Sequence, residues 1–248
     1  MVAVAAWAQA AAPDVQPPTV TPYRPTLSDP AGLPVPGWLE GEFGGLRVLH
    51  EDGSRSDTVP FLLKYAFDED HGVLFGGDAF DREVDAAGPH GGGMGDTYLE
   101  WKQRLPMREG LAFGYEIGPV LPTSAQGVGL DKPAWLLNGI LSSGVGALHL
   151  DINVGATRYA TRSPGASRWQ SGWAAAMSWP LGDRFGGAIE LSGNNRRGIG
   201  HAHQMLGTAN FMASRRLVWD AGLAYGLDRR THDLGLFAGG TVLLGRLR

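Results

Sequence analysis

The chain contains no cysteine, which excludes disulfides and thiolate-bound metal. It also has no apolar run approaching the roughly 18 residues that a membrane-spanning helix needs. Mean hydropathy is slightly negative. A helical membrane protein is thereby excluded, but a membrane barrel is not, because barrel strands give only a weak, alternating signal. Charge of one sign is lacking too: 21 Lys and Arg face 25 Asp and Glu, a net −4, which gives no footing for nucleic-acid binding. No Lys or Arg precedes Arg24, so the basic start of a secretory leader is missing. Even so, Val2–Ala12 is small and apolar, and Ala8-Gln9-Ala10 or Ala10-Ala11-Ala12 has the form of a signal-peptidase site. Residues 1–12 are read as a signal-peptide remnant.

What is abundant is glycine, 38 residues, and proline, 16. They are spread through the chain and do not mark a disordered block. A Pro-rich stretch, residues 13–37, cannot enter a sheet interior because Pro lacks the ladder donor. It is expected as an extended lead-in on the periplasmic side. The rest, 38–248, reads as about 12 short strands joined alternately by long polar loops and tight turns. Long connections are expected near Glu51–Asp57, Asp85–Gly93, Ser124–Lys132, Arg162–Arg168, Asn194–His203 and Leu227–Asp233. Short ones fall near Phe67–Gly72, Pro106–Gly110, Ser143–Ala147, Pro180–Arg184 and Ser214–Leu217. This rhythm suits an all-β fold, a closed antiparallel up-and-down transmembrane β-barrel with short periplasmic turns and longer extracellular loops.

Strand residues alternate faces with period two. Leu148, Leu150, Ile152 and Val154 oppose His149, Asp151, Asn153 and Gly155; Trp219, Leu223 and Tyr225 oppose Asp220, Gly222 and Ala224. In a soluble sandwich or lipocalin the apolar set would point inward, and in a membrane barrel it would point to lipid. Three features favour lipid. The polar sets are rich in small residues, which suit a narrow interior. Aromatics gather at strand ends, with Trp38, Phe67, Trp179, Phe185, Phe211 and Trp219 toward the short turns and Phe61, Tyr115, Trp135, Trp173 and Tyr225 toward the long loops, as interfacial girdles would. Finally, no Asp, Glu, Lys or Arg falls on the assigned outward faces.

Arg24–Pro30 followed by Pro36–Gly44, then Gly95–Lys102 with the form G-D-x-x-L-x-x-K, resembles the opening and an early strand of a proteobacterial outer-membrane group. Its members are labelled "transporter" or MetA-pathway-of-phenol-degradation proteins. Pro119–Thr123 with Gly127 and Gly129, then Asn153-Val154-Gly155 and Asp220–Leu223, resemble later signatures of the group, in order over roughly 220 residues. The resemblance implies a β-barrel in the bacterial outer membrane tied to uptake of small organic compounds. Two positions depart from the pattern. Ser124 stands where Gly is expected, and the chain ends Leu247-Arg248 where such barrels commonly end in an aromatic.

Twelve strands lie between the filled interior of eight and the open channel of 16–18, so a narrow pore is expected, with an infolded loop as one means of constriction. The residues assigned to its lumen are Glu40, Glu42, Lys64, Asp78, Glu100, Lys102, Arg104, Glu116, Asn138, His149, Asp151, Asn153, Glu190 and Asp220. Acids outnumber bases among them. Because charged rings set pore selectivity, the expected partners are small solutes, cationic or neutral and aromatic compounds included. Outer-membrane lipid and lipopolysaccharide complete the set; Asn194–Arg197 and Asp228–Arg230 offer Arg to lipopolysaccharide phosphates, with exposed loop charge as the simpler account. Acid–base pairing across a plugged lumen is the competing account, giving a structural or adhesive barrel.

No cofactor is called for, and an enzyme is not expected. Ser142, Ser143 and His149 lie near one rim without a pairing motif. His201-Ala202-His203 has metal-binding spacing, but with no third ligand beside it in sequence the plainer reading is a polar loop. Gly91–Gly93 with Gly95 precedes a strand and not a helix, so it is no phosphate cradle.

Overall fold

The computed structural model describes residues 18–85, 87–125, 129–160, 164–228 and 232–247. The signal-peptide remnant lies outside them. Thirteen strands run in chain order: β1 (Trp38–Leu49), β2 (Arg55–Ala66), β3 (His71–Asp85), β4 (Gly88–Gly93), β5 (Thr97–Arg108), β6 (Leu111–Leu121), β7 (Ala134–Val145), β8 (Leu148–Tyr159), β9 (Trp169–Pro180), β10 (Phe185–Arg196), β11 (Gly200–Ser214), β12 (Leu217–Gly226) and β13 (Leu234–Arg246). Every pairing is antiparallel between chain neighbours, except that β3 reaches past β4 to pair with β5, and β1 closes on β13. β4 pairs only with the outer end of β3. The closed ring therefore has 12 strands, and β4 is a hairpin folded back beyond its edge. Closure pairs both edges of the twelve ring strands, the condition for crossing lipid without unpaired backbone.

Short turns occupy one rim. Gly110 and Gly146 have φ of 71° and 63°, the left-handed conformation that tight reversals require and that glycine adopts without a Cβ clash. The other rim carries the long connections, among them residues 122–133. Two expected loops are mostly strand. Asp85–Gly93 is largely the β3–β4 hairpin, and Asn194–His203 is a tight turn at Arg197–Ile199 between extended strands. In both, polar and glycine-rich composition resembles a loop, while backbone pairing continues above the apolar zone.

The outer wall is apolar. Leu137, Val154, Ile189 and Leu223 are each about half exposed or more, whereas the next residue of each strand turns inward. Phe67, Trp135, Phe185 and Trp219 also lie exposed toward the strand ends. A water-facing wall of this composition would be an aggregation surface; lipid is the solvent that suits it.

The core is inside the ring, and part of it is not made of strands. Residues 18–37, expected as an extended lead-in on the periplasmic side, enter at the short-turn rim, where the Val20 N–H donates to the Arg215 carbonyl. The segment crosses the lumen and returns to the same rim, where the Gly37 N–H donates to Ala66. Val20, Tyr23, Ser28, Ala31 and Pro34 are buried. Proline keeps the segment out of the sheet as expected. It does not keep it out of the barrel, because the wall supplies side-chain acceptors for its backbone.

Candidate functional site

The segment's backbone donors are met by the inward faces of four strands. Glu40 accepts the Thr21 N–H at 3.1 Å, and Glu42 accepts those of Tyr23 and Arg24 at 2.7 and 3.1 Å. Glu190 accepts the Ser28 N–H at 2.8 Å and its hydroxyl at 2.9 Å. Asn153 accepts the Asp29 N–H at 3.0 Å and donates back to the Asp29 carbonyl at 2.9 Å. Ser142 Oγ accepts the Ala31 N–H at 2.7 Å. An irregular segment has no ladder to satisfy these groups, and a buried orphan N–H is costly. The wall's carboxylates and amide take the place of a neighbouring strand.

Charges are handled in the same place. Lys64 pairs with Glu42 at 2.7 Å and Glu40 at 3.2 Å and donates to the Thr21 carbonyl. Lys102 pairs with Glu116 at 2.6 Å. The Tyr23 ring lies between the two lysines, 3.9 and 4.1 Å from their Nζ atoms, and its hydroxyl ties the segment to itself at the Gly32 carbonyl, 2.7 Å away. Arg24 grips Asp220 with two hydrogen bonds of 3.0 Å. Its guanidinium occupies the space that side chains on Gly44 and Gly239 would fill, since a Cβ at either position would come within 2.5–2.6 Å of it. Asn138 links Glu116 and Asn153 at 2.9 and 2.8 Å. One network therefore joins wall and segment.

Above this floor, toward the long loops, lies a cavity of about 1110 Å³. Its lining includes Asp29, Asp78, Asp96 and Glu100, with Arg24 as the one Lys or Arg among the described lining residues. Leu46, Val48, Leu62 and Phe237 supply apolar surface, and Leu27 at the top of the segment is 60% exposed. Asp96 also accepts the Leu130 N–H at 2.7 Å, and Thr123 Oγ accepts the Thr97 N–H at 2.9 Å. The Gly95–Lys102 and Pro119–Thr123 stretches singled out in the sequence thus meet, and together they fix the loop at the cavity's edge.

The fourteen residues assigned to the lumen separate into three groups. Glu40, Glu42, Lys64, Lys102, Glu116, Asn138, Asn153, Glu190 and Asp220 meet in the network around the inner segment. Asp78 and Glu100 line the open cavity, whose floor Glu42, Glu116, Asn138 and Asn153 of the network also reach. Arg104, His149 and Asp151 lie toward the short-turn rim: Arg104 is 3.6 Å from Asp70, and His149 is half exposed and 3.2 Å from Asp151. Asp151 also accepts the Ser142 hydroxyl. The carboxylate therefore stands between serine and imidazole, so the serine has no base, the reverse of a hydrolytic arrangement. Sequence reasoning did not place Tyr23, Arg24, Ser28, Asp29 or Ser142 in the lumen, although Ser142 and the Arg24–Pro30 stretch were singled out on other grounds. The available signal was the surplus of inward acids, which need donors from somewhere.

No protein-family description and no curated protein matches the sequence. Solved structures do share the fold. An outer-membrane channel from Pseudomonas putida F1 superposes with a TM-score of 0.68 at 15% identity, over 91% of this chain and 100% of the other. The NanC porin gives 0.59 at 8% identity over 82% and 100%. The CymD monoaromatic hydrocarbon channel gives 0.53 at 11% identity over 86% and 90%. The chain is an outer-membrane-type β-barrel, and the proteins it is similar to are channels and porins, not enzymes.

Proposed function

We propose that the chain is an outer-membrane channel for small solutes that enter from the long-loop side, with residues 18–37 as its constriction. The observation that carries this reading is the division of the lumen into a filled half and an open half that faces the long loops. The open half is acid-lined and partly apolar, which fits small cationic or neutral organic solutes, aromatic ones included. The likeness to the CymD monoaromatic hydrocarbon channel supports that class by analogy of fold alone. The short-turn rim is assigned to the periplasm and the long-loop rim, with its lipopolysaccharide contacts, to the cell surface. The sequence motifs favour membership of the MetA-pathway "transporter" group.

Planar-bilayer conductance of the refolded chain tests the proposal. Stepwise currents with a cation-favouring reversal potential are expected, and removal of residues 18–36 should enlarge the step several-fold. Anion preference would overturn the acidic-pore reading. The second reading, a closed structural barrel, draws on the bonding of the segment to six strands. It predicts silence from the intact chain and current only after the segment is removed.

A further inference from the structure

The third ligand that the His201-Ala202-His203 sequence lacks is supplied from another strand's end. Asp228, just beyond β12, comes beside both imidazoles at the start of β11. Its Oδ1 is 3.5 Å from His201 Nε2 and 3.2 Å from His203 Nδ1, and one ligand atom from each of the three residues lies within 4.8 Å of the others. We propose that His201, His203 and Asp228 form a binding site for a borderline divalent metal ion, with Zn²⁺ as the type case, at the long-loop rim.

Three observations carry this inference. The first is spacing. Ligand atoms about 2.0–2.2 Å from a tetrahedral zinc are separated by about 3.3–3.6 Å along each edge, and the two carboxylate–imidazole distances, 3.2 and 3.5 Å, fall at that edge length. His203 Nδ1 is also 3.2 Å from Asp228 Oδ2, so the ring already shares a hydrogen bond with the carboxylate that an ion would replace. The second is preorganisation. The His203 backbone N–H donates to Asp228 Oδ2 at 2.5 Å, and the Leu227 N–H donates to the His203 carbonyl at 2.8 Å. The carboxylate is thus held while Oδ1 remains directed at the rings. The third is access. The side chains of His201, His203 and Asp228 are 64, 41 and 21% exposed, so an ion can enter from solvent and complete its coordination with water.

The donor set is two imidazoles and one carboxylate, a combination that suits Zn²⁺, Ni²⁺ or Cu²⁺ and does not suit the hard, all-oxygen preference of Mg²⁺ or Ca²⁺. A bound ion would clip the beginning of the β12–β13 connection to β11. It would act at the edge of the barrel and not in the network around residues 18–37.

The test is isothermal titration calorimetry of Zn²⁺ into the refolded, metal-free full chain in detergent. One ion per chain with a micromolar dissociation constant is expected. His201→Ala, His203→Ala and Asp228→Asn should each weaken binding about tenfold or more, while His149→Ala leaves it unchanged. Heat-modifiable migration establishes that each variant is folded, and His201→Ala, at an exposed rim position, serves if a change at Asp228 disturbs the loop. Absence of saturable zinc uptake by the intact chain, or undiminished uptake by all three variants, would overturn the site. Calorimetry reads binding whether or not the barrel conducts, so this outcome is independent of the channel proposal.

Discussion

The two halves of the lumen are built from the same strands and the same inward phase, yet they handle charge in opposite ways. Toward the short turns, Glu40, Glu42, Lys64, Lys102 and Glu116 are almost wholly buried, and each of these charges has a close partner. Toward the long loops, Asp78 and the largely buried Glu100 line a cavity of about 1110 Å³, which Glu42 and Glu116 reach from below and in which Arg24 is the one Lys or Arg among the described lining residues. The difference is the presence of a polypeptide segment. Where residues 18–37 run, the acids of the wall act as hydrogen-bond acceptors; where the segment stops, they remain as field. A lumen's charge count therefore does not report its selectivity until the partners inside it are known.

The sharpest way to break this contrast is Lys64→Met. It leaves Glu40 and Glu42 buried without their cation, and loss of one partner of such a pair costs about 3–5 kcal/mol. A corresponding fall in the denaturant midpoint of the micelle-bound barrel is expected, and no change would mean that the segment's N–H groups alone hold the two acids. A smaller effect is expected from Asp220→Asn. It weakens the grip on Arg24 by about 1–3 kcal/mol and should raise conductance by loosening the segment, with Gly44→Ala, whose Cβ would meet only the same guanidinium, giving the same direction in bilayers. In the open half, Asp78→Asn combined with Glu100→Gln should leave the unfolding midpoint nearly unchanged and move the reversal potential toward anions. Stability loss without a selectivity change would reverse the roles assigned to the two halves.

The smallest effect belongs to the rims. Hydrogen bonds from the Ser54 hydroxyl and N–H hold Asp52 below its ordinary value, and the Asp70 N–H, followed by the His71 ring, does the same for Asp68. Both folded values are depressed, so this support is present above the ordinary 3.8 and is lost as pH falls through the lowered folded values. Amide exchange in the two turns should quicken in that acid range while the ring stays intact. Cooperative unfolding of the whole barrel there would contradict it.

The barrel was legible because its two governing signals are local. Period-two alternation in Leu148–Ala156 or Trp219–Tyr225 needs no knowledge of neighbours, and turn positions such as Gly110 and Gly146 follow from short-range sterics. The inner segment was not legible, because its partners lie as far along the chain as Ser28 from Glu190 and Arg24 from Asp220. Proline excluded one fate for the segment and specified no other. The same distance effect concealed Asp228 from His203, while Asn194–His203 looked like a loop because strand pairing above the lipid zone no longer needs apolar residues.

Arg24 has one further consequence, which concerns assembly. The ring is completed by the pairing of its first and last strands, β1 with β13, the contact with the largest separation along the chain and the slowest kind to form. Arg24 rests against Gly44 on β1 and Gly239 on β13 and is bonded to Asp220 on β12. It thus bridges the seam from within, like a rivet set behind a joint. The residue that narrows the bore also holds together the two ends of the polypeptide, so occlusion of the bore and circularity of the wall are properties of a single contact.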